Sequence, residues 1–517
     1  MKVVSAEQAA DLIQNGSTVG VSAFSWMCFP EYVIKAIEAR YLEKSEPKDL
    51  TLFTSVGMGL MDSLGHKGLA KRCIATHYGN VPSFQNLIMN NEVEAYLWPQ
   101  GVMSHFYRDM AARKPGTYTK VGLKTFIDPR IEGGKVNAVA KEDLIEIVNI
   151  DGEEYLRFKP LKFDVAIIRG TYADQHGNIS MDDETVLTEA YHVAAAAKAN
   201  GGKVICQVSK IVTNGSIPAK SVRVPGVLVD YVVVAPMEFH KQTKVVVEPD
   251  PCFSSRVKIP LDAVPPLPLN ERKVIARRAA MELIPESIVN FGTGMPGGIP
   301  SVAAEENLTD AMTFSVESGA FGGVTAPVPN FGAIYNCEAM VTHDMQFDFC
   351  DGGNITQTFL GLAQMDQYGN VNVSKFGKPV GPGGFINLSQ NIKNVVFVGT
   401  FTAGGLEIAV DDGKLVIVNE GKHKKILKNV EQITFSGEFA MDTKQNITYI
   451  TERCVFKLDE KGLILTEIAP GIDLQTQILD LIDFDVRVSD DLKTMDSRIF
   501  RESPMGIEQE VRSKEVQ

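Results

Sequence analysis

Cysteine is scarce in this sequence, and the spacings that usually mark metal sites are missing. The 517 residues include seven cysteines and eight histidines, with no C-x-x-C pair and no H-E-x-x-H pattern. Secreted disulfide frameworks and structural zinc sites normally show such patterns. We therefore expect neither disulfides nor a bound metal, and we expect a protein of a reducing compartment, the cytoplasm.

Excess positive charge and long apolar runs are missing as well. Lys and Arg number 51 against 64 Asp and Glu, which gives a net charge of −13. A protein that binds nucleic acid would normally carry a basic patch, whereas the basic residues here are scattered among acids. No apolar run approaches the roughly 18 residues of a membrane-spanning helix, and the first residues lack an apolar signal core. The sequence thus predicts no nucleic-acid partner and no membrane association.

Short apolar runs that alternate with helical stretches are abundant. Residues 165–168, 203–208 and 395–398 are typical of buried strands, and residues 185–200 predict a helix that ends at Gly201. Helices between strands favour a mainly parallel sheet that is covered on both faces. The predicted fold class is α/β.

Proline clusters near the middle of the chain. Six of the 25 prolines fall within twenty residues, a density that neither a helix nor a central strand tolerates. We therefore predict an extended linker over 246–270 between domains at 1–245 and 271–517. The six residues are Pro249, Pro251, Pro260, Pro265, Pro266 and Pro268.

The two predicted domains share short sequence similarities in the same order. An ordered series of this kind indicates an internal duplication. A competing explanation is that any two α/β domains share the same strand-turn-helix pattern. The similar pairs are residues 17–22 and 287–292, residues 50–57 and 311–319, and residues 173–179 and 365–371.

A glycine-rich segment in the second half has two interpretations. Residues 292–297 match G-x-G-x-x-G and stand between a predicted strand at 287–291 and a helix from about Ile299. The next predicted strand ends in Glu317, 25 residues after Gly292. In a dinucleotide-binding oxidoreductase the glycines would approach a pyrophosphate and this acid would bind a ribose. Alternatively, Glu317 is a catalytic carboxylate.

Three details favour the catalytic interpretation of Glu317. Pro296 stands where a dinucleotide-binding helix would already have begun, and the helix that follows is short. A second glycine-rich turn, at residues 318–323, has no part in ribose recognition. A further cluster at residues 381–385 can present backbone N–H groups to an oxyanion, or it is simply a tight loop.

The segment Ser315-Val316-Glu317-Ser318-Gly319 resembles the signature of class I coenzyme A transferases, most closely that of the propionate/acetate CoA-transferase subgroup. The resemblance extends from about residue 5 to Gly506. The other motifs that carry it are residues 292–296, residues 381–385, Pro99-Gln100-Gly101 with Arg108 and residues 114–116, residues 125–130, residues 133–135, and the Asp-x-x-Gly-Asn repeats at Asp174 and Asp366.

This resemblance implies two tandem, mutually similar three-layer α/β domains with an active site between them. Glu317 would attack a short-chain acyl-CoA and carry the CoA as a transient glutamyl thioester, with no permanently bound cofactor. A glutamate with a reference pKa of about 4.3 would be ionised at neutral pH without a general base. The resemblance also implies a homotetramer or another homo-oligomer. The residues implied in oxyanion or CoA binding are Gly292, Thr293, Gly294, Met295, Gly383 and Gly384.

The segment from Ser25 to Phe29 is bulkier than the subgroup pattern. Its residues either belong to the core or form a wall of the acyl pocket, for which Trp26, Phe29 and Gln100 are candidates. Two further functions use the same motifs. An acyl-CoA hydrolase would pass the Glu317 thioester to water, and a CoA-responsive binding protein would not catalyse at all.

Overall fold

Two large β-sheets organise the protein, described from a computed structural model over residues 1–55, 58–260, 267–326, 330 and 332–515. The first sheet has eight strands, all parallel, in the order β1-β8-β7-β6-β2-β3-β4-β5. In chain order these strands are Lys2–Val3 (β1), Thr18–Val21 (β2), Leu50–Thr54 (β3), Ala70–Ala75 (β4), Glu94–Leu97 (β5), Val165–Arg169 (β6), Lys203–Val208 (β7) and Tyr231–Val234 (β8).

The second sheet has ten strands with a parallel centre and antiparallel additions on both sides. Its order is β12-β11-β10-β9-β13-β14-β15-β16-β17-β18, and β10, β9, β13, β14 and β15 run parallel. Its strands are Ile288–Phe291 (β9), Thr313–Val316 (β10), Ala320–Phe321 (β11), Ala339–Met340 (β12), Gln357–Gly361 (β13), Asn394–Val398 (β14), Asn446–Ile450 (β15), Cys454–Asp459 (β16), Gly462–Ile468 (β17) and Arg487–Thr494 (β18).

Helices connect most of the parallel strands. They are Ala6–Asp11 (α1), Glu31–Lys44 (α2), Met58–Met61 (α3), Pro82–Met89 (α4), Gln100–Ala111 (α5), Ala190–Ala199 (α6), Glu271–Ala280 (α7), Ile299–Glu305 (α8), His343–Asp351 (α9), Phe385–Asn391 (α10), Gly437–Asp442 (α11), Leu474–Gln477 (α12) and Glu508–Arg512 (α13). Every residue of β6 is buried, as expected for a strand whose sheet is covered on both faces. The predicted α/β class is confirmed.

Smaller sheets decorate the two large ones. Three-stranded sheets comprise Thr117–Thr119, Ile145–Ile150 and Glu153–Phe158, and Gln364–Asp366, Val371–Asn372 and Ile426–Leu427. Two-stranded pairs are Tyr172–Asp174 with Lys210–Val212, Val324–Thr325 with Ile334–Tyr335, Lys375–Phe376 with Lys378–Pro379, Thr402–Ala403 with His423–Lys424, and Glu407–Asp411 with Lys414–Asn419.

The helix predicted over 185–200 is shorter than expected. Helix α6 begins only at Ala190, because the residues before it make contacts that an α-helix would not allow. The Thr185 hydroxyl donates to the Gln242 carbonyl at 2.7 Å, and the Leu187 carbonyl accepts from the backbone N–H of His343 at 3.0 Å. Through Leu187, this segment therefore contacts the second half of the chain.

The two halves repeat one strand order and one turn. The order β7-β6-β2-β3 in the first sheet corresponds to β14-β13-β9-β10 in the second. Asp174 accepts hydrogen bonds from the backbone N–H groups two and four residues later and from the side chain of Asn178. Asp366 accepts the same three bonds, with Asn370 in place of Asn178. These matching contacts support the predicted duplication.

The proline-rich segment contains no helix or strand over residues 246–260 and 267–270, while Pro265 and Pro266 lie outside the described residues. It packs against other parts of the chain. Ile259 exchanges two hydrogen bonds of 2.7 and 2.8 Å with the Asn336 side chain. Helix α7 then begins after Asn270, whose side chain caps it. The division of domains at 246–270 stays a prediction.

In the part of the chain that the structure describes, no helix is long and apolar enough to cross a membrane.

The repeated turns give a stability prediction. Asp174→Ala and Asp366→Ala each remove an acceptor that satisfies three N–H groups, and both aspartates are almost fully buried. We expect each variant to lose about 2–3 kcal/mol of unfolding free energy. Chemical denaturation measures the loss, and Asp490→Ala, at an exposed position of β18, is the control. A variant of either turn as stable as this control would contradict the prediction.

Candidate active site

Glu317 lies at the tip of a tight hairpin between β10 and β11. The Gly319 N–H donates to the Val316 carbonyl at 3.0 Å and closes the turn. Gly319 has φ +104°, and a Cβ at this position would collide with the Val341 carbonyl oxygen. A side chain is therefore excluded at Gly319, which explains the glycine of the Val-Glu-Ser-Gly motif.

The hairpin projects Glu317 into a cavity of about 500 Å³. The cavity is lined by residues from both sides of the predicted linker. Those from the first half are Phe24, Ser25, Trp26, His77, Asn80, Gln100 and Lys244, and those from the second half are Gly292, Thr293, Glu317, Leu360, Gly361, Val373, Val380, Gly381, Pro382, Gly383, Gly384, Phe385 and Leu388.

The glycine cluster at residues 381–385 contacts the carboxylate of Glu317. A Cβ on Gly384 would lie only 2.8 Å from Glu317 Oε2, so this backbone approaches the acid as closely as a glycine allows. The Gly383 N–H does not face the cavity as a free donor, since it donates to the Thr76 carbonyl at 3.1 Å. Of the two oxyanion donors predicted in this turn, the Gly384 N–H remains the candidate.

The other predicted glycine segment contributes its first residues to the cavity. Gly292 and Thr293 line the cavity, whereas Gly294 and Met295 are not among the lining residues. Gly294 adopts φ +82°, and the Met295 side chain packs against the core of the second half. A single turn of 3₁₀-helix at Pro296–Gly298 leads into α8, which has seven residues.

Burial changes the ionisation expected for Glu317. It raises the pKa of Glu317 to about 7, while charge on His343 acts in the opposite direction. The expectation that this glutamate is fully ionised at neutral pH is therefore wrong. A carboxylate with a pKa near 7 is also a stronger base than an exposed one, which suits a nucleophile.

Gln100 is held in a buried polar network that the sequence did not predict. Its Nε2 atom lies 2.7 Å from His343 Nε2, and His343 Nδ1 lies 2.8 Å from Glu189 Oε2 and 3.2 Å from Ser104 Oγ. All four side chains are at most 1% exposed. Partners 154 and 243 residues apart in the chain leave no spacing that could have revealed them.

Of the three candidate wall residues, Gln100 and Trp26 line the cavity and Phe29 does not. Phe24 and Met27 exchange two backbone hydrogen bonds, and this tight turn presents Trp26 to the cavity. Lys244 Nζ lies 5.0 Å from the centre of the Trp26 ring. Phe29 is fully buried in the core of the first half and does not line the cavity. The pocket-wall hypothesis thus applies to Trp26 and not to Phe29.

Within the described ranges, no group of three or more His, Cys, Asp or Glu residues is arranged to hold a metal ion.

Comparisons with known proteins agree with these motifs and with this geometry. The sequence model described as Coenzyme A transferase matches residues 3–235. A caffeate CoA-transferase of Acetobacterium woodii is 46% identical over 98% of this chain and 99% of its own length. The acetate CoA-transferase YdiF of Escherichia coli K12 is 40% identical over 98% of this chain and 96% of its own.

Solved structures show the same relationship. The acyl-CoA transferase YdiF of Escherichia coli O157:H7 superposes as the apoenzyme with a TM-score of 0.93 at 40% identity, over 98% of this chain and 97% of that one. A second structure of the same enzyme, a thioester complex with CoA, gives a TM-score of 0.92 at 39% identity over the same shares. The chain described here belongs to the coenzyme A transferase family, and within it to the acetate/propionate type of CoA-transferase.

Proposed function

We propose that this CoA-transferase moves CoA between short-chain carboxylic acids through a glutamyl-CoA thioester on Glu317. The observation that carries the proposal is the position of Glu317, buried at the end of a cavity lined by both halves and in contact with the Gly384 backbone. The thioester complex reported for the Escherichia coli enzyme supports it by analogy. Membership of the family displaces the alternative of a dinucleotide-binding oxidoreductase.

The proposed chemistry proceeds by acyl transfer alone. A Glu317 oxygen attacks the acyl-CoA carbonyl, the C–S bond breaks, and a mixed anhydride and CoA thiolate form. The thiolate attacks the glutamyl carbonyl, and the donor acid leaves as its carboxylate. The acceptor carboxylate then repeats the sequence in reverse and releases a new acyl-CoA. No proton is gained or lost overall, and the bond energy of the thioester is preserved.

Each step passes through a tetrahedral oxyanion that needs hydrogen-bond donors. We propose the Gly384 N–H as one donor. The turn at Gly294 and Met295, expected to supply another, does not line the cavity, and its role as a donor stays a prediction. A single donor of this kind contributes about 3–4 kcal/mol to transition-state stabilisation. Gly292 and Thr293 line the cavity and are our candidates for contacts with CoA. CoA is then a substrate and a transient adduct, with no permanently bound cofactor.

Trp26 is our candidate for the residue that limits acid size. Its ring packs against Gly59, where a Cβ would lie 3.0 Å from the indole, and Lys244 covers it. These contacts on two sides fix the ring as part of the cavity wall. The relatives at 46% and 40% identity are named for different acids, caffeate and acetate, so their names do not agree on one acid substrate. A homo-oligomeric assembly and a cytoplasmic location stay predictions. Sedimentation equilibrium tests the assembly.

The covalent intermediate can be trapped chemically. Incubation with acyl-CoA and no acceptor, followed by borohydride, reduces a glutamyl thioester to an alcohol. Peptide mass mapping should find this change at Glu317 alone, and it should be missing in Glu317→Gln. We expect the same variant to lose about 10⁴-fold or more in kcat, as when other nucleophiles are removed. An unmodified wild-type protein in the presence of intact acyl-CoA would refute the assignment.

The same incubation separates transfer from hydrolysis. A transferase turns over only when an acceptor acid is present, whereas a hydrolase releases CoA steadily in water. Steady release of CoA without acceptor, at a rate equal to that with acceptor, would assign the hydrolase.

The pH dependence follows from the pKa of about 7 at Glu317. Only the ionised carboxylate is a nucleophile, so kcat/KM should fall as the pH decreases through about 7. Burial lowers the pKa of His77, which also lines the cavity, to about 4, so its titration is separate. A pH profile of kcat/KM measures the pH at which this decrease occurs. A decrease centred near the usual glutamate pKa of about 4.3 would contradict this prediction.

The role of Trp26 is tested by a change in acid preference. Trp26→Ala removes the indole from the cavity wall and should raise kcat/KM for butyrate relative to acetate by about tenfold. Phe29→Leu is the matched control, since Phe29 lies in the core and should alter stability without altering this ratio. Unchanged ratios across acetate, propionate, butyrate and lactate in Trp26→Ala would remove Trp26 from the pocket.

A further inference from the structure

We infer that the backbone N–H of Gln100, in the first half of the chain, orients the peptide group between Gly383 and Gly384 and thereby positions the Gly384 N–H as an oxyanion donor. The inference rests on the proposed role of the Gly384 N–H. It makes the backbone of Gln100 a positioning group, separate from the place of the Gln100 side chain in the cavity wall.

Gly383 is bonded through both of its backbone groups to the first half of the chain. Its N–H donates to the Thr76 carbonyl at 3.1 Å, and its carbonyl accepts from the Gln100 N–H at 3.0 Å. Thr76 directly follows strand β4, and Gln100 is the first residue of helix α5. The position of Gly383 is therefore set by two elements of the first half.

The planarity of the peptide group carries this constraint to Gly384. The Gly383 carbonyl and the Gly384 N–H belong to one peptide group, which is trans. In a trans peptide the C=O and N–H bonds lie in one plane and point in opposite directions. The hydrogen bond that fixes the Gly383 oxygen therefore also fixes the direction of the Gly384 N–H.

The Gly384 N–H is available as a donor. Gly384 is buried and lines the cavity, and within the part of the chain that the structure describes its N–H has no acceptor. Its carbonyl, by contrast, accepts from the Leu388 N–H at 3.0 Å. A buried N–H without an acceptor is rare, because it has given up its bond to water. An oxyanion formed in the cavity would supply the missing acceptor.

The next N–H of α5 holds the same contact in place. The first N–H groups of a helix have no acceptor within the helix, and the Gly101 N–H donates to Asn387 Oδ1 of α10 at 3.1 Å. A Cβ on Gly101 would lie 2.4 Å from Asn387 Nδ2, so this close approach requires glycine. The two oxygens of Asp351 accept from the same Nδ2 at 2.9 and 3.1 Å, which fixes the orientation of the Asn387 amide.

Two substitutions of Gln100 isolate the contribution of its N–H. Gln100→Ala and Gln100→Pro both remove the carboxamide, but only Gln100→Pro also removes the N–H. Proline is favoured at the first position of a helix, where the N–H has no partner within the helix. The preceding residue, Pro99, has φ −61° and ψ 142°, a conformation that a following proline accepts. Gln100→Ala is therefore the matched control.

We expect Gln100→Pro to form the Glu317 thioester at least about tenfold more slowly than Gln100→Ala at saturating acyl-CoA. Removal of an oxyanion donor outright costs roughly 10²–10³-fold, which is the upper limit for its displacement. The acyl-CoA concentration for half the maximal rate should agree within about twofold, because the oxyanion exists only after the substrate is bound. Rapid-quench measurement of thioester formation gives both quantities.

Two outcomes of this comparison would overturn the inference. Equal maximal rates in the two variants would show that the Gln100 N–H does not position a donor. A similar loss in the maximal rate and in the affinity for acyl-CoA would show a disturbed cavity in place of a displaced donor.

A backbone ester gives the same test if Gln100→Pro does not fold. Incorporation of the α-hydroxy acid counterpart of alanine at position 100 replaces the N–H by an oxygen atom and adds no ring. We expect the same loss of rate relative to Gln100→Ala, since an ester oxygen cannot donate to the Gly383 carbonyl. An ester protein as fast as Gln100→Ala would also overturn the inference.

The wild-type enzyme separates this inference from the proposed function. A wild-type enzyme that forms no thioester would reject the proposed function. Normal thioester formation in the wild-type enzyme, together with equal rates in Gln100→Ala and Gln100→Pro, would reject only the present inference.

Discussion

The contact of helix α5 from the first half with helices α9 and α10 from the second is the constraint on which the site depends. Along α5, Gln100 contacts His343, the Gly101 N–H donates to Asn387 at 3.1 Å, and Arg108 forms an ion pair of 2.7 Å with Asp348. His105 lies 3.2 Å from the same Asp348, and the two basic residues hold the pKa of that carboxyl well below its usual range. The part of the cavity wall that Gln100 forms is therefore held by bonds that cross between the halves.

The chemistry that this arrangement allows depends on the exclusion of water from the cavity as much as on the identity of the residues that line it. Burial is the larger cause of the raised pKa of Glu317, and charge on His343 acts in the opposite direction. The same protection is what an anhydride requires, because water in the cavity would hydrolyse it. The groups that do approach closely, the Gly384 backbone and the Gln100 carboxamide, carry no net charge. The site thus keeps its carboxylate reactive by burying it in a cavity that both halves of the chain line.

The sequence predicted the parts of this structure that are local. Strand Lys203–Val208 was predicted to the residue, because a short apolar run after a glycine stop leaves little freedom. Glu317 and Gly384 could be singled out from the sequence because tight turns impose glycine at fixed positions, and both line one cavity. The choice between core and pocket wall for Phe29 could not be made from the sequence, because Ser25 and Cys28, at φ +55° and +52°, turn the backbone in a way that the residue types do not reveal. His343 and Glu189 could not be found, since only tertiary packing brings them together.

The covalent connection at residues 246–270 has a consequence for assembly. A cavity lined by both halves would, in two separate polypeptides, form only at the concentration that their affinity demands. Joined in one chain, the halves meet at a local concentration set by the span of the connection, in the millimolar range for short flexible joints. In the described part of this segment, Ile259 exchanges hydrogen bonds with the Asn336 side chain, and this contact restricts the position of the chain before the second half. Occupancy of the complete site is then independent of dilution, which allows an enzyme of this design to work at low cellular abundance.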